Sequence, residues 1–355
     1  MNILHIVDFG KAGKINGVGE AVMNLAYKQK TLGVSVTILH TRPANINNNL
    51  CIELKNVNDF ERIVDNIRPE IAIFHSFYDF SHPKIAKILS RKGIPYLITY
   101  HGGASKNNYK KKTLLKFLVN KFIFISYIKK AAGTIYLNQN EQHNSIFKNI
   151  DKEKFVILPN GINPPLDSNK YKKNDKVIIS FISRLDFHGK GLDLLLPAIS
   201  NIRNELEKRK VHFRFYGYHY DDGTIEKIQS LPNICSYEGF VLDQQKDLAF
   251  RDTDIYILPS RSEGMPISVL EALSYGIPCI LTPQTNMSEL IKDNQCGWTI
   301  ELNIQDISDK ILTALDDLAQ NRSVLRKNCI ETAKQFEWNQ IAIQSIRIYE
   351  NFLKS

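Results

Sequence analysis

Pro259-Ser260-Arg261-Ser262-Glu263-Gly264-Met265-Pro266, followed by Ile267-Ser268-Val269-Leu270-Glu271-Ala272-Leu273-Ser274-Tyr275-Gly276-Ile277-Pro278, sets two carboxylates around the expected start of a buried helix. At such a start the backbone N–H groups are unpaired and the macrodipole favours anions, so the segment suits an oxygen-rich, negatively charged ligand. Pro266 fits the first helical turn because its missing N–H costs nothing there, and the small and apolar residues after it predict a core-facing helix over 265–275. Glu263 then lies in the loop mouth and Glu271 points out of the second turn.

Outward from this segment, apolar β-branched runs alternate with helical patterns, which predicts parallel sheets covered by helices on both faces. Strands are expected near 2–7, 34–40, 70–75, 95–100, 133–137 and 154–158, with helices around 18–32, 58–67, 81–92, 110–129 and 139–147. Pro159-Asn160-Gly161-Ile162-Asn163-Pro164-Pro165 breaks the pattern, and the polar stretch from Asp167 to Asp175 reads as a linker. The alternation then restarts, with strands near 176–182, 211–216, 234–238, 254–258 and 278–282 and helices near 190–207, 243–250 and 265–275. Helices near 304–319, 322–335 and 339–353 finish the chain. The expectation is two doubly wound α/β domains, 1–165 plus 339–355 and 166–338, with the last helix returning to the first domain. Ligands of open parallel sheets sit beyond the carboxyl ends of the strands, so two such domains facing each other would hold one in a central cleft.

The 355 residues, 43% hydrophobic and 23% charged, are too many for one typical soluble domain. The cysteines Cys51, Cys235, Cys279, Cys296 and Cys329 are odd in number and scattered, which suggests neither a disulfide framework nor a zinc site and fits a reducing cytoplasm. The chain opens on the strand-like Asn2-Ile3-Leu4-His5-Ile6-Val7 without an export leader, and no apolar run is long enough to span a bilayer. The net charge of +9 is concentrated between Lys106 and Lys130, where Lys110, Lys111, Lys112, Lys116, Lys121 and Lys129 alternate with apolar and aromatic residues and no acid intervenes. A basic amphipathic helix of this kind can lie on an anionic membrane surface, or it can be a buried helix with a solvated lysine face. Charge confined to one amphipathic segment, with no recognised binding module, argues against a nucleic-acid partner.

Three other loops follow expected strands. Ser183-Arg184-Leu185-Asp186-Phe187-His188-Gly189-Lys190-Gly191 brings Arg184 and Lys190 to one mouth with glycines that admit a ligand, the makings of a diphosphate clamp; the plainer alternative is two solvated cations. Gly10-Lys11-Ala12-Gly13-Lys14-Ile15-Asn16-Gly17-Val18-Gly19 superficially suggests a dinucleotide fingerprint, but it is too long and no acid follows the second strand, which ends His40-Thr41-Arg42. A flexible loop that lets a substrate approach backbone is the better reading. Tyr100-His101-Gly102-Gly103 would aim His101 into the same cleft, although a lone histidine is usually structural.

Together, Gly17-Val18-Gly19, His101-Gly102, Leu158-Pro159-Asn160-Gly161, Arg184 with Lys190-Gly191, and Glu263 with seven residues before Glu271 resemble the retaining glycosyltransferases of family GT4. The resemblance reaches Phe336-Glu337-Trp338-Asn339 before the final helix, and the Glu-x7-Glu block with its flanks is its most specific part. It implies the GT-B fold, with an N-terminal acceptor half and a C-terminal half that binds a nucleotide-sugar donor. It implies further that Arg184 and Lys190 hold the diphosphate, that Glu263 binds donor-sugar hydroxyls, and that the backbone of Gly264, Met265 and Pro266 closes round the sugar and distal phosphate. Glu271 would take the ribose hydroxyls, Gly217 and Val241 would line the donor pocket, His101 would sit near the transferred sugar, and Gly17 would line the entrance.

If the whole interval were helical, eight positions would separate Glu263 and Glu271 by roughly 12 Å. Paired hydrolase carboxylates stand about 5 to 10 Å apart across one bond, so two ends of a nucleotide sugar match better. The chain departs from the family after Phe213-Arg214-Phe215-Tyr216-Gly217, where Tyr218-His219-Tyr220 replaces a second glycine. Asp252-Thr253-Asp254 imitates a metal-binding Asp-x-Asp but leads into a buried strand. His212 and His219, and the pair His75 and His82, lack a third ligand and read as structural. The expectation is a bacterial-type, metal-independent transferase without a cofactor, moving a hexose or N-acetylhexosamine from a nucleotide sugar, preferentially a UDP-linked one. Its acceptor would be a glycan on a lipid diphosphate at the inner membrane face, as in capsule or lipopolysaccharide synthesis. A soluble acceptor, and a catalytically silent subunit that supports a partner transferase, are the alternatives.

Overall fold

The computed structural model describes residues 1–9, 16–42, 48–76, 79–106, 124–150, 154–165, 175–219 and 223–354. Most of the basic segment 106–130, the first part of the glycine loop, the linker after Leu166 and Tyr220 lie outside them. The chain divides into two compact units, Met1–Gly161 with Trp338–Ser355, and Ile162–Glu337. The divisions fall four residues before and one residue before the sequence-based boundaries.

The first unit holds a seven-stranded parallel sheet of β1 (Asn2–Val7), β2 (Ser35–His40), β3 (Cys51–Glu53), β4 (Ile71–His75), β5 (Tyr96–Thr99), β6 (Gly133–Tyr136) and β7 (Phe155–Ile157), in the order β3-β2-β1-β4-β5-β6-β7. Helices α1 (Gly17–Thr31), α2 (Phe60–Ile67), α3 (His82–Arg91), α4 (Ile125–Lys130) and α5 (Gln139–His143) fall between the strands. Alternate residues of β1 feed opposite faces. Leu4 and Ile6 join Phe74, Tyr96 and Ile98 in one core, while Val7 joins Val22 and Ala26 of α1 in the other. The C-terminal helix Trp338–Lys354 returns to the α1 face, where Gln29 donates to Ser345 at 2.9 Å. Burial of its Ile341, Ala342 and Tyr349 explains why this helix belongs to the first unit.

The second unit has six parallel strands, β8 (Val177–Ile182), β9 (Val211–Tyr216), β10 (Cys235–Gly239), β11 (Ile255–Leu258), β12 (Cys279–Leu281) and β13 (Gly297–Thr299), ordered β10-β9-β8-β11-β12-β13. Its helices are α6 (Leu192–Asn201), α7 (Arg203–Lys208), α8 (Thr224–Gln229), α9 (Asp243–Arg251), α10 (Ile267–Ser274), α11 (Ser288–Asp293) and α12 (Ile304–Lys334). The expected helix over 190–207 is two helices that break at Ile202 after an internal Pro197. The two helices expected over 304–335 form α12, whose Asn321 departs from helical geometry at the expected junction. Strand order reverses between β1 and β4 and again between β8 and β11, so each unit has a switch point where connections leave in opposite directions and open a crevice.

Candidate active site

At the second switch point, the loop leaving β8 and the loop leaving β11 are locked together by backbone. Gly191 has φ +74°, and a Cβ there would come within 2.1 Å of the Pro259 carbonyl oxygen, so only glycine fits. The Arg261 N–H donates to the Gly189 carbonyl at 3.0 Å. Its guanidinium grips Asp193 through two hydrogen bonds, 2.6 and 2.9 Å, and also donates to the His188 carbonyl. Beside Arg261 and His188, the Asp193 carboxyl is held below its usual range against the opposing effect of burial.

This lock brings Lys190 against Glu263. The lysine ammonium pairs with Oε1 of the glutamate, and Ser260 donates to the same oxygen at 2.7 Å. The two side chains are only 12% and 14% exposed, so the pair is shielded from most of the solvent. Among the described residues no hydrogen bond reaches Oε2, which stays available to hydroxyl donors. The Glu263 backbone is held as well, donating to the Gln284 carbonyl at 2.9 Å and accepting from Asn286 at 2.8 Å. Asn286 also donates to the carbonyl of Gly264 at 3.2 Å, and Met265 is buried. Such a carboxylate needs little rearrangement to meet a polar ligand.

The expected helix start at 265 is corrected by two positions. Pro266 has ψ 122° and is the N-cap, so α10 begins at Ile267, and the proline side chain makes no capping hydrogen bond. The N-terminus beside Glu263 retains its positive end for an anion. Glu271 does not join Glu263; its Oε1 pairs with Lys246 of α9 at 2.6 Å. Arg184 is half exposed and faces Asp186 at 3.5 Å. Gly217 has φ +146°, and a Cβ there would lie 1.8 Å from the Ser183 carbonyl oxygen, so it fixes the exit of β9 against the Arg184 loop. Val241 is half-buried ahead of α9. Lys246 was not visible as a partner because nothing in its own helix signals which neighbouring helix it meets.

In the first unit, Gly17 opens α1 behind an Asn16 cap that accepts from the Gly19 N–H at 2.8 Å; a Cβ on Gly17 would meet nothing within 4 Å. His101 takes φ 48° after β5, and the neighbouring Gly102 N–H donates to buried Glu141, which also accepts from Leu137 at 2.6 Å. Burial pushes the Glu141 carboxyl up to about 7 in spite of these two donors. His75 and His82 have different partners. His75 bonds His101 at 3.0 Å and His5 at 2.9 Å, whereas the His82 ring stacks at a tilt on Phe74, 3.7 Å from Asp79. Burial lowers His5, His82 and His101 to about 4, and burial with the adjacent histidines holds His75 well below its ordinary value.

The aspartates of Asp252-Thr253-Asp254 have structural partners: Asp252 meets Arg214 at 3.3 Å, and Asp254 accepts from Ile178 at 2.8 Å and pairs with Arg322. His212 bonds Ser236 at 2.8 Å and His219 lies edge-on to Tyr237. Among the described residues, no group of three or more His, Cys, Asp or Glu side chains is placed to hold a metal ion. No helix among them is long and apolar enough to cross a membrane.

Two family models cover the chain, "Glycosyltransferase Family 4" over residues 15–165 and "Glycosyl transferases group 1" over residues 165–336. Among curated proteins, an N,N'-diacetylbacillosaminyl-diphospho-undecaprenol alpha-1,3-N-acetylgalactosaminyltransferase of Campylobacter jejuni is 25% identical across 69% of this chain and 67% of its own length. A UDP-Gal:alpha-D-GlcNAc-diphosphoundecaprenol alpha-1,3-galactosyltransferase of Escherichia coli is 26% identical across 71% and 70%. Among solved structures, a sucrose-phosphate synthase from Thermosynechococcus elongatus superposes with a TM-score of 0.82 at 16% identity, covering 100% of this chain and 99% of that one. The fold is therefore GT-B, and the chain belongs to the group 1 glycosyltransferases with a family 4 N-terminal half.

Proposed function

We propose that this transferase is a retaining, metal-independent enzyme that moves a hexose or N-acetylhexosamine from a UDP-sugar onto a glycan carried by a lipid diphosphate. The observation that carries the reading is the Lys190–Glu263 pair beside the start of α10, at the strand-order reversal of the second sheet. It sets a cation, a carboxylate oxygen that no hydrogen bond reaches among the described residues, and the first-turn amides of α10 in one mouth, which matches a diphosphate followed by a sugar.

In the reaction, the bond between the anomeric carbon and the leaving diphosphate oxygen breaks. Lys190, Arg184 and the start of α10 stabilise the charge that develops on the diphosphate, more strongly in the transition state than in the ground state. Glu263 orients the sugar through its hydroxyls, and Glu271 holds the ribose. The acceptor hydroxyl attacks from the face the diphosphate leaves and passes its proton to the departing oxygen, which gives retention without a protein nucleophile.

The names of the Campylobacter and Escherichia coli relatives, one a UDP-galactose transferase and both acting on diphospho-undecaprenol-linked sugars, support the donor and acceptor classes. The lysines between Lys106 and Lys130 support attachment to an anionic membrane surface on the cytoplasmic side. Nucleotide release from a panel of UDP- and GDP-sugars, with undecaprenyl-diphosphate glycans as acceptors and NMR of the product's anomeric proton, tests the reading. Release from a UDP-sugar with the anomeric configuration kept supports it; inversion, or release from GDP-sugars alone, overturns it. Flotation with anionic liposomes tests the membrane part, and equal absence of binding to anionic and neutral vesicles would leave a soluble acceptor.

A further inference from the structure

The first unit contains a buried file of side chains that the transfer reaction as described does not use. Ser345 on the C-terminal helix, Gln29 on α1, His5 in β1, His75 at the end of β4 and His101 beyond β5 are joined by hydrogen bonds of 2.9, 2.8, 2.9 and 3.0 Å. β1, β4 and β5 are neighbours in the sheet, so the file steps across it from the last helix to the loop of His101. Ser345, Gln29 and His5 are 0% exposed and His75 is 3% exposed, which leaves these groups to satisfy one another.

The direction of every proton follows from one end. Ser345 Oγ donates to the Ala342 carbonyl at 2.7 Å, and a carbonyl can only accept. The serine oxygen must then accept from Gln29, which turns the amide N–H toward Ser345 and the amide oxygen toward His5. That oxygen accepts from His5 Nε2–H. A neutral His5 is left with Nδ1 as an acceptor, which takes His75 Nε2–H, and His75 Nδ1 in turn takes His101 Nε2–H. No hydrogen bond reaches His101 Nδ1 among the described residues.

We propose that Ser345, acting through Gln29, His5 and His75, fixes the tautomer of His101 so that Nδ1 is presented as a hydrogen-bond acceptor for a sugar hydroxyl. The four are positioning residues. The effect on rate rests on the reading of His101 as a sugar-side group, but the tautomer does not. Reversing the Gln29 amide would reverse every bond in the file and put the proton on Nδ1, turning an acceptor into a donor.

The test is a two-bond nitrogen–proton correlation spectrum of the full-length protein labelled with ¹⁵N-histidine, which distinguishes protonated from unprotonated ring nitrogens. In the wild type, His101 shows an unprotonated Nδ1 and a protonated Nε2. Ser345→Ala removes the acceptor that orients Gln29, and the His101 proton redistributes toward Nδ1; Ser345→Thr restores the original pattern. Gln29→Glu, whose carboxylate can only accept from His5, keeps it. For the sugar nucleotide that the release panel identifies as donor, Ser345→Ala lowers kcat roughly 10-fold with donor KM within about twofold. A proton on Nδ1 of His101 in the wild type, or a Ser345→Ala spectrum identical to it, overturns the proposal. A redistributed tautomer with unchanged kcat instead refutes the sugar-side role of His101.

Discussion

Lys190 and Glu263 meet across two loops that leave adjacent strands, and the contact depends on Gly191, whose α-carbon sits where a side chain would strike Pro259. The ion pair and the backbone lock are one construction, so their perturbations separate by readout. Glu263→Gln and Lys190→Ala reduce transfer by roughly 100-fold or more, the loss seen when one preorganised electrostatic group is removed. Each leaves a partly buried partner uncompensated, so the double variant is less destabilised than the sum of the two singles. Urea unfolding of the four proteins gives the coupling, expected between about 0.5 and 3 kcal/mol.

Gly191→Ala acts on the scaffold. The positive φ and the clash with the Pro259 carbonyl together cost at least about 2 kcal/mol. The melting temperature falls, and donor binding weakens as the two loops part. An unchanged melt would contradict the backbone lock.

Lys246 and Glu271 form a second pair between α9 and α10. With Glu271 on the ribose, Glu271→Gln raises donor KM about tenfold and changes kcat little, because a charge-assisted hydrogen bond to a part of the donor remote from the breaking bond is lost. A fall in kcat at constant KM would place Glu271 at the reacting centre.

The buried titratable groups of the first unit make its stability depend on pH. Burial lowers His5, His82 and His101 from the ordinary 6.5 to about 4, so the unfolded chain binds protons that the folded unit refuses. Their contribution is present above pH 6.5 and is lost as pH falls toward about 4. Glu141 works the other way: with its carboxyl raised from 4.5 to about 7, stability declines as pH rises through that interval. The histidines outnumber it, so net stability climbs from pH 4 to 6.5, and Glu141→Gln steepens the climb. Of the two tryptophans only Trp338 lies in this unit, so its fluorescence in a Trp298→Phe background reports the melt.

The architecture was largely readable from residue patterns because each long strand is a continuous apolar run between turn residues, as in Val177–Ile182 and Asn2–Val7. The edge strands Cys51–Glu53 and Gly297–Thr299 were missed, since each is short and interrupted by Glu53 or Gly297, unlike the equally short but wholly apolar Phe155–Ile157. Short helices Thr224–Gln229 and Ser288–Asp293 escaped as well. Both loops of the Lys190–Glu263 site stood out by their position after strands, but their pairing depends on β8 and β11 being neighbours although more than seventy residues apart. The histidine file was hidden more deeply. Its links span 316, 24, 70 and 26 residues, and only the sheet order brings them into line.

Titration calorimetry with UDP-sugars and GDP-sugars on the wild type, Lys190→Ala and Glu263→Ala reads out whether the Lys190–Glu263 mouth binds a sugar nucleotide. The wild type binds a UDP-sugar saturably, and Lys190→Ala weakens that binding at least about tenfold through loss of a charge-assisted phosphate contact. Glu263→Ala should weaken the sugar nucleotide more than UDP itself. Equal affinity in all three proteins, or no binding of any nucleotide sugar by the wild type, would contradict donor binding at this mouth.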